Sequence, residues 1–168
     1  MKQIGIISDT HDYLDPKVFH YFKDCDEVWH AGDIGEIGVS NALQDFKTFR
    51  AVYGNIDGSE IRNTWPEVLS FDCEGAKVLM IHIGGNPNKY STLAKKSIEA
   101  LKPDLFICGH SHILRIETDK QNKFLFLNPG AAGKHGFHHV RTLARLKIEN
   151  AKIFDVQVIE LGSRSQLI

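Results

Sequence analysis

Five short apolar runs in this chain end on side chains that can bind a metal. Asp9 and His11 follow Ile4-Gly5-Ile6-Ile7, Asp33 follows Glu27-Val28-Trp29-His30, and Asn55 follows Phe49-Arg50-Ala51-Val52-Tyr53. His82 follows Lys77-Val78-Leu79-Met80-Ile81, and Gly109-His110-Ser111-His112 follows Leu105-Phe106-Ile107-Cys108. Imidazole and carboxylate together suit Mn²⁺, Fe²⁺, Ni²⁺ or Zn²⁺, whereas Mg²⁺ and Ca²⁺ call for all-oxygen cages. Taken singly the pieces say little. An Asp-x-His pair is common in polar loops, Gly-Asp and Gly-Asn are ordinary turn dipeptides, and a lone His82 reads equally as a core histidine bonded to a carbonyl. Two imidazoles flanking Ser111 directly after a buried run are stronger. The five endings in this order supply ligands for two ions and point to a binuclear metalloenzyme.

Something must bring those endings together. Apolar runs of four to eight residues closed by Gly or polar residues read as buried strands. In layered α/β proteins, sites gather where the carboxyl ends of strands converge. Between the runs, Asp15-Pro16 predicts a helix start, with Asp15 as N-cap and an end near Asp24; Ser40 predicts a cap for a helix through Lys47. Tyr90, Leu93, Ala94, Ser97, Ile98 and Leu101 fall on one face of a helix over 90–102 that Pro103 stops. Period-two patterns predict three hairpins: 68–73 with 77–81 around Glu74-Gly75-Ala76, 114–118 with 124–127, and 142–148 with 152–159 around Glu149-Asn150-Ala151. Parallel strands with helices, then antiparallel hairpins, imply two facing sheets with helices outside, in one domain over 1–168.

Composition narrows the partners. The 168 residues include 20 Lys and Arg against 21 Asp and Glu, with nine His and a net charge of −1. The basic residues are scattered, so no stripe for a nucleic-acid polymer and no cluster for an anionic membrane emerges. The apolar stretch near Met1 is too short for a signal-peptide core and nothing reaches transmembrane length, so the expected location is cytoplasmic. Cys25, Cys73 and Cys108 are odd in number and far apart, which fits buried thiols better than disulfides; Cys108 borders a proposed metal loop.

The series Asp-x-His, Gly-Asp, Gly-Asn, His and Gly-His-x-His resembles the calcineurin-like metallophosphoesterase superfamily. Chain length, the opening from Ile4 to His11, His30-Ala31-Gly32-Asp33 and Asn128-Pro129-Gly130-Ala131 resemble its small bacterial and archaeal phosphodiesterase branch. The resemblance implies an α/β fold, a four-layer αββα sandwich of two mixed sheets flanked by helices. It implies two divalent transition-metal ions, Mn²⁺ foremost, with Asp9, His11 and His112 on one, Asn55, His82 and His110 on the other, and Asp33 bridging. The implied catalytic set is Asp33, Asn55 and His110. The implied reaction is hydrolysis of small phosphodiesters or nucleotides by a metal-bridging hydroxide.

Two positions depart from the family pattern. Many members have His after the Gly-Asn pair, placed to protonate the leaving group, and this branch commonly has Cys; here the residue is Ile56. Ile83 follows His82 where Gly is common. Without an acid at position 56 the enzyme should favour acidic leaving groups, unless His135, His138 or His139 supplies the proton. That histidine-rich stretch has two open readings, a phosphate-binding loop over the cleft or a solvated surface loop. His30 is likewise either a partner to a metal ligand or a plain buried histidine. A protein-binding scaffold on the same fold, as in the retromer subunit that resembles this branch, and a phosphomonoesterase are the alternatives to a phosphodiesterase. The expected partner is a small phosphate ester, with a homo-oligomer open.

Overall fold

In the computed structural model, which describes residues 1–165, β1 (Lys2–Ile7) is aliphatic on both faces and is buried over its last four residues. Ile4 and Ile6 point into one apolar layer and Ile7 into another, the period of two that a strand with cover on both sides requires. After α1 (Lys17–Tyr21) the chain lays β2 (Glu27–His30) parallel to β1, and after α2 (Ile37–Phe46) it lays β3 (Thr48–Ala51) parallel to β2. A short α3 (Ser59–Thr64) leads to the hairpin of β4 (Val68–Cys73) and β5 (Ala76–Ile81). A two-residue pair, β6 (Gly85–Asn86) with β7 (Lys89–Tyr90), precedes α4 (Thr92–Leu101) and β8 (Leu105–Ile107). Two hairpins finish the chain: β9 (Leu114–Asp119) with β10 (Phe124–Pro129), and β11 (Val140–Glu149) with β12 (Lys152–Ser163).

These strands form two five-stranded mixed sheets, in the orders β12-β11-β1-β2-β3 and β4-β5-β8-β10-β9. Between them lies a core that includes Ile4, Ile6, Trp29, Val78, Met80, Ile107, Leu127 and Leu146. Val18, Leu43 and Ile61 from α1, α2 and α3 cover the outer face of the first sheet, and Ala94 and Ile98 of α4 cover the second. The layers are α, β, β, α, as the resemblance implied. No helix among the described residues is long and apolar enough to cross a membrane.

The three expected hairpins form. Asn150 and Ala151 both take positive φ (49° and 64°), the backbone that a tight two-residue β-turn needs. The helices differ in detail. α2 begins at Ile37, and Ser40, expected as a cap, is buried inside it, where its Oγ accepts the indole N–H of Trp65 at 2.9 Å. Tyr90 pairs in β7 and its hydroxyl donates to Asp119 at 2.6 Å, so Ser91 becomes the cap of α4, its Oγ accepting the Ala94 N–H. α1 stops at Tyr21, earlier than expected, and Asp15 accepts the Lys17 N–H while also holding Arg141 at 2.7 Å.

Candidate metal centre

The loops after β1, β2, β3, β5 and β8 meet in one place, and they bring all seven predicted residues together. Ligand atoms of Asp9, His11 and His112 lie within 4.8 Å of one another, as do those of Asp33, His82 and His110. Asn55 joins the second group, its Oδ1 lying 3.1 Å from His82 Nε2 and 2.9 Å from His110 Nδ1. Asp33 Oδ2 faces both groups, 3.4 Å from His11 Nε2 and 3.2 Å from His82 Nε2. Asp9 Oδ1 is 3.1 Å from His112 Nε2.

Hydrogen bonding within the cluster does not account for this arrangement. Asp9 Oδ1 and His11 Nε2 are buried without a hydrogen-bond partner, although buried polar atoms are normally satisfied. His82 Nδ1 donates to the Ala31 carbonyl at 2.7 Å, which turns the lone pair of Nε2 toward Asn55 Oδ1, itself an acceptor. A proton or a cation has to lie between such atoms. Two ligands about 2.1 Å from one ion stand about 3.0 Å apart at right angles and about 3.4 Å apart at tetrahedral angles. The separations of Asp33 Oδ2 from His11 and His82, of Asp9 Oδ1 from His112 and of Asn55 Oδ1 from His82 fall in that interval, and the mixed N/O donors suit divalent transition ions. The residues therefore fit two such ions.

Charge sets the resting state. Burial opposes ionisation of Asp9, but His11, His112, His82 and the Ser8 hydroxyl outweigh it and hold the carboxyl well below the ordinary range. Burial likewise opposes ionisation of Asp33, and His82 above all outweighs it. In return Asp9 raises His11, and His82, though burial lowers it, is raised by Asp33 and Asp9. Two anionic carboxylates among imidazoles give the cluster the charge and donor set that a cation would need.

Local structure fixes each side chain. Asp9 Oδ2 accepts the Ser8 hydroxyl at 2.6 Å and the His110 N–H at 3.1 Å, leaving Oδ1 for the cluster. Asp33 Oδ1 accepts the Ile56 N–H at 3.0 Å, leaving Oδ2. Such outer bonds orient ligands and fix imidazole tautomers. Asp9, His11, Asp33, His110 and His112 all have left-handed backbone, with φ from 44° to 70°, a conformation that costs a non-glycine residue on the order of 1–2 kcal/mol. Surrounding bonds such as Asp9 N–H to Gly32 O (3.0 Å) and Gly109 N–H to His82 O (3.0 Å) hold it there. Gly54 is needed for a different reason: a Cβ on it would overlap the Oδ1 and backbone nitrogen of Asp33.

Sequence reasoning missed two positioning residues. Asp57 is 3% exposed, and its carboxylate accepts the N–H groups of Gly54 (2.7 Å), Gly35 (2.8 Å) and Ile34 (3.2 Å), tying the loop after β3 to the one after β2. The Gly-Asn-x-Asp spacing, which puts a carboxylate three residues after Gly54 where it can reach back to that N–H, was the available signal. Asn128 donates to Gly109 O and Ser111 Oγ, both at 3.0 Å, bracing the Gly-His-Ser-His loop. His30 takes the plain buried role. It accepts the Gly32 N–H at 3.1 Å and bonds Thr10 Oγ1 at 3.0 Å, and burial pushes its pKa down to about 3. Burial pushes the Cys108 thiol up to about 12, so this cysteine is inert beside the loop it precedes.

The histidine-rich loop lies at the site. The His135 ring sits 4.9 Å from that of His11, and the His138 ring 5.2 Å from that of His112. Both line a cavity of about 490 Å³ together with Asp33, Asn55, Ile56 and His110, whereas the exposed His139 does not.

Comparison with known proteins agrees with this geometry. Residues 1–151 match the calcineurin-like phosphoesterase superfamily domain. A protein of Methanocaldococcus jannaschii named as a probable metallophosphoesterase is 31% identical over 138 residues, spanning 76% of this chain and 67% of its own. A novel archaeal phosphodiesterase superposes with a TM-score of 0.75 at 24% identity, over 95% of this chain and 99% of that one. Vps29 of Entamoeba histolytica complexed with Zn²⁺ superposes with a TM-score of 0.70 at 18% identity, over 97% and 99%. At those identities the two structures speak for the fold alone, while the domain match spans all five strand endings. The chain belongs to the calcineurin-like phosphoesterase superfamily.

Proposed function

We propose that the protein is a phosphodiesterase dependent on two divalent metal ions, held by Asp9, His11 and His112 and by Asn55, His82 and His110, with Asp33 shared. The observation that carries this reading is the position of Asp33 Oδ2, within 3.4 Å of an imidazole from each group. Two ions bound there would ionise a water near neutral pH and stabilise charge on the phosphoryl oxygens during in-line displacement. The chain's own contribution is positional. Asp33, Asn55 and His110 form the floor on which the phosphate rests, Ser8 and the Ile56 N–H keep the carboxylates turned, and no protein nucleophile is required. Seven intact donors favour turnover over a bare scaffold, since a scaffold has no use for all of them.

The surroundings favour a diester over a monoester. Besides the large cavity, one of about 170 Å³ runs past His110, Ile83 and Arg115, and one of about 230 Å³ runs past Asn55, His82 and Arg62. A phosphate on the floor thus has room on more than one side for an ester arm. Position 56 supplies only its backbone N–H, because an isoleucine side chain moves no proton. Bis(p-nitrophenyl) phosphate and p-nitrophenyl phosphate, each assayed with Mn²⁺ and after chelation, test the reading. The expected result is chelator-sensitive turnover that favours the diester. Equal turnover after exhaustive chelation would overturn it.

A further inference from the structure

The floor of the large cavity is polar, but its lip is not. Phe137 is 98% exposed, Ile113 65% and Ile56 45%, and each comes from a different loop lining the cavity that holds Asp33, Asn55 and His110. A single exposed apolar side chain means little, but several on the rim of one cleft mark a contact surface. Phe137 is also presented by an anchored loop. Gly136 before it, at φ 126°, lies so close to the His112 ring that a Cβ would overlap Nδ1. After it, His138 donates to Gly133 O at 2.9 Å, and Arg164 bonds the carbonyls of His138 (2.9 Å) and His139 (3.0 Å). Among the described residues no Lys or Arg lines this cavity, which argues against an anionic membrane as the partner of the lip.

From this placement we infer that the substrate carries a flat aromatic group, a nucleobase or an aryl ring, on the ester arm that is retained, and that this ring stacks on Phe137 with Ile113 and Ile56 closing around it. The inference deepens the phosphodiesterase reading and rests on it. Phosphate on the floor fixes one end of the ligand, and an aromatic face on the lip selects the other. Stacking of one base on an aromatic side chain corresponds to roughly 5- to 150-fold in binding.

Three p-nitrophenyl phosphodiesters that share a leaving group and differ in the retained arm, methyl, phenyl or thymidine-5′, test it with Mn²⁺ present. The expected kcat/KM ratio of the aromatic esters to the methyl ester is roughly 5 to 150. Phe137→Ala should collapse that ratio toward one, and Phe137→Trp should restore it. Inhibition by thymidine 5′-phosphate relative to methyl phosphate should weaken in parallel in Phe137→Ala. A thymidine ester faster than the phenyl ester identifies a nucleobase, and the reverse order identifies a simple aryl group; either supports the inference. A ratio near one in the parent, or a ratio that survives Phe137→Ala, overturns it while leaving the phosphodiesterase reading intact. Turnover of none of the three overturns both. If Phe137→Ala abolishes vesicle binding or self-association but leaves the ratio unchanged, the lip serves a surface or a second copy and the inference fails.

Discussion

Gly54→Ala tests whether the position of Asp33 matters, without replacing any proposed ligand. A methyl group on Gly54 overlaps Asp33 Oδ1 and its backbone nitrogen and stands 2.8 Å from Cγ, so the carboxylate has to yield. Asp33 cannot swing freely, because its Oδ1 is held by the Ile56 N–H and its Oδ2 lies between His11 and His82. Overpacking of this kind costs about 1–3 kcal/mol of stability. For a domain of this size that is about 2–4 °C in Tm for each kcal/mol. A displacement near 1 Å at a reacting centre costs on the order of 100-fold in rate. The expected outcome is a folded protein with kcat/KM for an aryl phosphodiester down about 100-fold at saturating Mn²⁺. Gly58→Ala is the control, since a Cβ there meets nothing within 4 Å. Parental kcat/KM in a folded Gly54→Ala protein would refute the reasoning.

Ile56→His restores an ionisable group on the cleft, and a positioned acid contributes roughly 10²- to 10⁴-fold. It should accelerate esters with alkoxide leaving groups more than nitrophenyl esters, read from log kcat/KM against leaving-group pKa; equal effects across the series would contradict this. Asp15 and Arg141 form a buried pair at 2.7 Å, and Asp15→Asn should cost about 3 kcal/mol at pH 7 by stranding Arg141. Burial opposes ionisation of Asp15, but the Lys17 N–H and Arg141 outweigh it and lower its pKa, so its contribution is full above an unfolded value of about 3.9 and is lost as pH falls through the lower folded value. Urea midpoints at pH 7 and pH 3 should show the variant with a smaller drop than the parent, and an equal drop would contradict the assignment.

Which residues meet at the cluster was more legible in the sequence than the backbone that delivers them. Asp9, His11, Asp33, Asn55, His82, His110 and His112 could be read because each closes an apolar run, and a buried parallel strand announces its own end. The left-handed conformations at five of them left no trace, because Asp and His tolerate that region without requiring it. Tyr90 fell on the helical face of Leu93 and Ala94 and was read into α4, but its hydroxyl is claimed by Asp119, 29 residues on. Ser40 looked like a cap until Trp65, 25 residues away, took its oxygen. α3 escaped because six residues with one buried side chain, Ile61, carry almost no periodic signal. The loop over 133–139 stayed open in sequence for a related reason: its histidines find their partners, His11 and His112, more than 20 residues away in the chain.

Counting bound metal tests the central claim most directly. The chain, stripped of metal and titrated with Mn²⁺, should take up two ions per molecule, measured calorimetrically and by elemental analysis after desalting. Asp33→Asn, which removes the carboxylate lying within 3.4 Å of an imidazole from each group, should lose at least one of them. One ion or none in the parent, or two retained unchanged in Asp33→Asn, would contradict the account.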